Sequence, residues 1–170
     1  MKITHVNHSS VLIENSKGKF IWTDPWVIST AFETWTQSPY ATYQTIKKIS
    51  KIKPQDLSIL ISHGHDDHLD EFILSHEPFK KVKVFIPKLK SPGLKKRIEK
   101  TSSYREIIEV DNNDFKFDGF RISNLINPEY TFDDTIFLIN DSKTTFIHAN
   151  DNYHEYKNEF SEEIKSKLNS

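Results

Sequence analysis

Leu57-Ser58-Ile59-Leu60-Ile61-Ser62-His63-Gly64-His65-Asp66-Asp67-His68-Leu69-Asp70 is the stretch that decides how this chain is read. The mostly apolar run from Leu57 to Ile61 has the length and residue types of a strand buried on both faces. Directly after it, the six residues from His63 to His68 hold three imidazoles and two carboxylates. Imidazole and carboxylate are the donors that suit zinc, iron and manganese. A turn leaving the carboxyl end of a strand aims alternate side chains at one point and the residues that follow at a second, so one loop can serve two ions. With 8 histidines in 170 residues, three His and one Asp at fixed places arise by chance on the order of once in 10⁵ windows, which favours a metal motif over a histidine-rich polar turn.

Working outward, strands are expected at residues 2–5, 10–14 and 20–23, a meander whose last two members are joined by Ser16-Lys17-Gly18-Lys19. A long aromatic loop, 24–40, leads to a helix around 41–50, and Pro54 precedes the buried strand. Beyond the motif come a helix near 70–76, a strand at 82–86, and a basic helix near 93–100 introduced by Ser91-Pro92. The second half is strand-rich, with candidates at 106–110, 115–117, 120–125, 135–139 and 144–148, before a polar terminal helix from about Tyr153. Strands in both halves with helices between and after them imply two packed sheets covered by helices.

At 170 residues the chain is read as a single domain, 1–170. The absence of cysteine excludes disulfides, thiolate zinc ligands and thiol catalysis. No signal peptide or long apolar span opens it, so a cytoplasmic protein is expected, with no membrane contact. The net charge of −1 conceals a basic stretch containing Lys80, Lys81, Lys83, Lys88, Lys90, Lys95, Lys96, Arg97 and Lys100. This is either a surface for an anionic ligand or the solvated face of a strand and helix. It lacks regular aromatic interleaving, which disfavours sequence-selective nucleic-acid recognition.

The pattern His63-x-His65-x-Asp67-His68 after a hydrophobic strand resembles the metallo-β-lactamase superfamily. That resemblance implies an α/β (α+β) fold, an αββα sandwich of two mixed β-sheets flanked by helices, with one or two divalent metal ions at the edge between the sheets. Val6-Asn7-His8-Ser9-Ser10, Thr23-Asp24-Pro25-Trp26, the stretch from Trp35 to Pro39, and His148-Ala149-Asn150-Asp151-Asn152 look most similar to the subgroup containing the hydrolase-like domain of CMP-N-acetylneuraminate hydroxylase.

The resemblance implies that His63 and His65 bind a first metal, that Asp67 and His68 bind a second, and that Asp151 bridges the two. The residues themselves place Asp151 in a strand-end loop after Thr145-Phe146-Ile147, where it is either a ligand or a turn-capping Asp. Asp24, between a strand and Pro25, either orients a ligand imidazole, touches the second metal, or simply makes a turn. His8 lines the site or is an ordinary polar residue between strands. His148 lies close to Asp151 in sequence, but strand alternation can turn it away. His5, His76 and His154 are read as surface or structural. Family enzymes supply a further His before the bridging Asp, and no histidine stands between His76 and His148; Asn127 or Glu129 would take that place through oxygen, a partner chain would complete the site, or the first metal would have fewer protein ligands and bind more weakly. An oxygen ligand shifts preference from zinc towards iron, manganese or magnesium. The resemblance also implies a C-terminally shortened version of the domain, since superfamily members usually continue further and contribute a final His to the second metal.

The activity implied is that of a metallo-hydrolase using a metal-activated water, with zinc the first choice and iron or manganese as alternatives. Asp66, Asp67 and Asp24 are the carboxylates available for proton transfer or water alignment. A small-molecule substrate is expected, a phosphate- or amide-bearing sugar or nucleotide metabolite, against a wall formed by Trp26, Phe32, Trp35 and Tyr40, unless these aromatics belong to the core. The alternatives are an iron-dependent oxygenase component with a separate electron donor, since a chain without cysteine cannot ligate the usual iron–sulfur cluster, and a catalytically lapsed ligand-binding module. Self-association into a homo-oligomer is compatible with all three.

Overall fold

Leu57, Ser58, Ile59 and Leu60 are all buried, because this strand has packed layers on both faces. Successive strand residues point to opposite sides. Leu57, Ile59 and Ile61 therefore join one apolar cluster and Leu60 another. The fold is a consequence of filling those two clusters.

The computed structural model describes residues 1–38, 43–111, 114–126, 135–151 and 166. Strands β1 (Lys2–Asn7), β2 (Ser10–Glu14), β3 (Phe20–Thr23), β4 (Leu57–Leu60), β5 (Lys83–Pro87) and β6 (Ile107–Val110) form one sheet in chain order. The first two pairings are antiparallel and the remaining three parallel. The parallel steps are crossed by helices α1 (Tyr43–Ile49), α2 (Glu71–Ser75) and α3 (Gly93–Glu99). Parallel neighbours need such crossovers because a short turn cannot return the chain to the same end of the sheet. Ile49, Ile73, Leu74, Leu94 and Ile98 of these helices pack with Trp22, Ile59, Val84 and Ile86 on one face of the sheet.

Strands β7 (Phe115–Phe117), β8 (Phe120–Ile126), β9 (Thr135–Asn140) and β10 (Thr145–His148) form the second sheet in the order β10-β9-β8-β7. Its described pairings are all antiparallel, so only the first sheet is mixed. Hairpin connections explain this. Asp118 and Gly119, at φ 48° and 89°, make the two-residue turn between β7 and β8, a backbone that Asp-Gly adopts at low cost. Phe120, Ile122, Phe137 and Ile139 face Val11, Ile13, Ile21, Leu60 and Phe85 across the gap between the sheets.

The expected strands at 10–14, 20–23 and 115–117 have the observed limits, the other expected elements that are described differ by one or two residues at an end, and the short 3-10 turn Glu77–Phe79 is additional to those expected. Residues 41 and 42 and the terminal helix expected from Tyr153 lie outside the described residues, apart from Ser166, which is helical. No helix among the described residues is long and apolar enough to cross a membrane.

Candidate metal centre

Four chain segments meet where β3, β4 and β10 end. Asp24 follows β3, Ser62 and His63 follow β4, and Asp151 follows β10, while the β1–β2 turn contributes His8 and Ser9. His8, Asp24 and Asn150 have φ of 45°, 36° and 52°. Left-handed backbone in residues other than glycine is uncommon and concentrates at functional sites.

Asp24 is fully buried and serves as a hub. Its Oδ1 accepts from the backbone N of Ser62 at 2.7 Å, and its Oδ2 accepts from Ser62 Oγ at 2.7 Å. The same Oδ2 lies 2.9 Å from Nδ1 of His68 and 2.7 Å from Nε2 of His148. Burial alone would raise the pKa of this carboxyl, but His148 and His68 outweigh it and hold the group well below the usual carboxylate range. His68 moves the other way, to about 9: burial opposes its charge, and the hydrogen bond and charge of Asp24 overcome that. His63 is pushed down to about 4 by burial and by the neighbouring His68.

With Nδ1 engaged, His68 aims Nε2 into the site, 3.3 Å from Asp151 Oδ1 and 3.7 Å from Asp67 Oδ2. That nitrogen is buried without a hydrogen-bond partner, and so is Asp67 Oδ1. A buried, unsatisfied donor or acceptor is costly unless something binds it. Nearby, Nε2 of His63 lies 2.8 Å from Nδ1 of His65, and these two nitrogens are 3.5 and 3.8 Å from Asp151 Oδ2. Tetrahedral ligands at zinc-like bond lengths sit about 3.4 Å apart. The donors therefore fit an ion, and the two oxygens of Asp151 face different imidazole groups. His63, His68 and Asp151 have donor atoms within 4.8 Å of one another, and so do His8, Asp67 and His68.

The structure brings His63, His65, Asp67, His68 and Asp151 together, whereas Asn127 and Glu129 lie outside the described residues. Two of the expected proton-transfer carboxylates are engaged by other partners. Asp24 has no exposed surface and is saturated by its donors, which is the imidazole-orienting arrangement. Asp66 turns away from the imidazoles: its Oδ1 accepts from Arg97 Nη2 at 2.9 Å and its Oδ2 from the backbone N of Phe32 at 3.3 Å.

Arg97 emerges from the basic stretch as a clamp, since it also donates to the carbonyl of Gly64 and to Glu71. Lys80, Lys83 and Lys95 pair with Glu77, Glu106 and Glu109 at 2.6, 3.1 and 2.6 Å. Counting Arg97, four of the nine cations in that stretch thus face carboxylates, and the run is not a surface of one sign. His148 is buried and turned inward to Asp24, contrary to the turned-away alternative. No signal for this stands in the sequence, because Phe146 and Ile147 are both apolar; in the structure His148 shares a strand face with Phe146, and Ile147 faces the other way.

Asp70 holds a second buried carboxylate. Its Oδ1 caps α2 through the N of Ile73 at 3.1 Å and also accepts from Ser29 Oγ, while its Oδ2 accepts from the N atoms of Val27, Ile28 and Ser29 at 3.0, 2.7 and 3.0 Å. This pins the root of the aromatic loop. Of the expected wall, Trp26 is buried, Phe32 and Trp35 are 45% and 59% exposed, and Tyr40 lies outside the described residues. Phe32 packs edge-on to Trp35, with its ring centroid 6.1 Å from that of His65. A cleft of about 480 Å³ opens beside the site, lined by Asn7, His8, Trp26, Trp35 and Gln37 among others.

A mixed sheet and an antiparallel sheet packed face to face, with a His/Asp cluster at their shared strand ends, define a metallo-β-lactamase fold. The chain belongs to the β-lactamase superfamily domain family, whose model matches residues 2–167. It is similar to a protein of Mycolicibacterium smegmatis described as a putative Rieske 2Fe-2S iron–sulfur protein, at 25% identity over 160 residues, covering 89% of this chain and 30% of that one. Among solved structures it is similar to CmlA, a diiron β-hydroxylase from Streptomyces venezuelae, with a TM-score of 0.60 and 16% identity over 86% of this chain and 28% of CmlA. The metallo-β-lactamase fold protein YhfI of Bacillus subtilis superposes with a TM-score of 0.52 and 16% identity, over 81% of this chain and 53% of YhfI. The chain thus spans under a third of the first two proteins and about half of the third.

Proposed function

We propose that this domain is a metal-dependent hydrolase acting on a small molecule. The observation that carries the reading is the division of Asp151, which presents Oδ2 to His63 and His65 and Oδ1 to His68. In this reading His63, His65 and Asp151 hold a first divalent ion, and Asp67, His68 and Asp151 a second. An ion so held supplies Lewis acidity and a water that ionises near neutral pH.

The chain's own residues supply the rest. Asp24 fixes the tautomer and direction of His68, the positioning that a carboxylate gives a ligand imidazole. Arg97 and Asp66 hold the motif loop, and Asp66 contributes by position rather than by proton transfer. His65 and Asp151 are 55% and 48% exposed, so substrate can reach the ligand face. Phe32 and Trp35 offer ring faces to a sugar or a base, and the cleft beside them is large enough for a metabolite of that size.

A second reading has its own support. CmlA is a diiron β-hydroxylase, and the mycobacterial relative is described as a Rieske protein. These similarities favour an iron-loaded, oxygen-activating component served by an electron donor on another chain or domain. The two readings separate in one experiment: protein freed of metal is reconstituted with Zn²⁺, Fe²⁺ or Mn²⁺, then assayed on chromogenic phosphodiesters, lactones and amides, and for oxygen uptake with a chemical reductant. Hydrolysis that is lost in Asp67→Ala supports the first reading. Oxygen uptake confined to the iron form, without hydrolysis, overturns it in favour of the second.

A further inference from the structure

We propose that His8, on the turn between β1 and β2, is a ligand of the second metal position. This role rests on the metal reading above and extends it to a residue outside the motif. His8, Asp67 and His68 have donor atoms within 4.8 Å of one another. Nε2 of His8 lies 3.3 Å from Asp67 Oδ2, which is itself 3.7 Å from Nε2 of His68, and that nitrogen is 3.3 Å from Asp151 Oδ1. These separations bracket the spacing of about 3.4 Å between neighbouring ligands in a tetrahedral zinc site. His8, Asp67 and His68 thus make a three-donor group, which His68 joins to the carboxylate of Asp151.

Two independent features point to an occupant. Nε2 of His68 and Oδ1 of Asp67 are buried and have no hydrogen-bond partner, while both side chains are almost completely enclosed. The backbone at His8 is also held in an uncommon conformation, at φ 45°, by the closure of the ladder between Asn7 and Ser10 and by Nε2 of His5, 3.0 Å from the His8 carbonyl oxygen. That turn sends the His8 ring between the edge of Trp26, at 5.2 Å between centroids, and the ring of His68, at 5.6 Å. A histidine needed only for a tight turn would be better replaced by Gly or Asn. The ring also lines the cleft, so the proposed ligand stands on the side from which substrate enters.

The test uses the full chain, freed of metal and titrated with Co²⁺, followed by visible absorption and by calorimetric stoichiometry. His8→Gly removes the imidazole yet tolerates the left-handed turn, and His65→Ala serves as a first-position control. The proposal expects the second Co²⁺ to bind His8→Gly about 100-fold more weakly, or not at all, with the first equivalent unchanged and the absorption band of the second position lost. His65→Ala should show the reverse order of loss. Two equivalents bound by His8→Gly with parental affinity and spectrum overturn the proposal and leave the metal reading standing; no Co²⁺ bound by the parent overturns both. If His8→Gly does not fold, His8→Asn preserves the turn, and the intensity and position of its second-site band report the loss of the imidazole.

Discussion

Nδ1 of His68 and Oδ2 of Asp24 are 2.9 Å apart, and neither side chain has exposed surface. The pair links residues 44 positions apart and sets the direction of an imidazole that faces both Asp67 and Asp151. Asp24→Asn places an amide against Ser62, His68 and His148, where one acceptor oxygen is lost and two donors oppose donors already present. The expected cost is roughly 3 kcal/mol of stability. Metal affinity should fall about 10- to 100-fold. Urea unfolding and calorimetric metal titration check the two effects separately.

Arg97 ties the loop that carries His65. Arg97→Ala removes its contacts with Gly64, Asp66 and Glu71. These pairs are partly exposed, so the global stability loss should be only about 1 kcal/mol. Local looseness should exceed the global effect, visible as faster amide exchange at residues 64–66 and weaker first-position metal binding. Unchanged exchange at those amides would show that the loop holds without the clamp.

Asp70→Ala deprives the amides of Val27, Ile28 and Ser29 of their acceptor and uncaps α2. A loss of roughly 3 kcal/mol is expected. Trp26, next to the released segment, should report the change by a red shift in its emission as water reaches it. Metal stoichiometry should stay at the parental value, because among the described residues the Asp70 carboxylate bonds to Val27, Ile28, Ser29 and Ile73 and to none of the proposed ligands.

The metal-free protein should be most stable near pH 6.5. His68, raised to about 9, contributes stability that is complete below about 6.5 and disappears as pH rises through 9. His63, lowered to about 4, contributes stability that is complete above about 6.5 and disappears as pH falls through 4. Each limb is worth roughly 3 kcal/mol. Thermal melts of metal-free protein across this range test it, and a melting temperature that keeps rising from pH 6.5 to 9 would contradict the charged His68–Asp24 pair.

Much of this molecule is written locally. The apolar runs at 57–61 and 136–139 and the turn residues at 16–19 are short-range signals, and the elements fall where those signals put them. The motif from His63 to His68 is equally local, and so was legible. What spacing could not register are contacts between distant residues: Asp24 with His148 across 124 positions, Ser9 with His68 across 59, and Arg97 with Asp66 across 31. Arg97 was further concealed by its basic neighbours, since in sequence it looks like one more solvated cation. Asp66 looked catalytic for the complementary reason, because its place between ligands says nothing about which way its side chain turns.

Asp70 stands two residues beyond His68, and its carboxylate gathers three successive amides from the far side of the site. The segment from Ala31 to Trp35, closed on itself by its own backbone bridge, then projects beyond that anchor. Anchor and ligand loop are thus one continuous piece of chain, while the projecting segment meets that loop through the Phe32 ring beside His65 and the Phe32 amide on Asp66, a bond that any replacement residue except proline can make. Exchanging 30–36 for sequences of other shape should remodel what enters the cleft while the ion-holding frame keeps its geometry, which makes this short stretch the natural place for specificity to diverge or to be engineered.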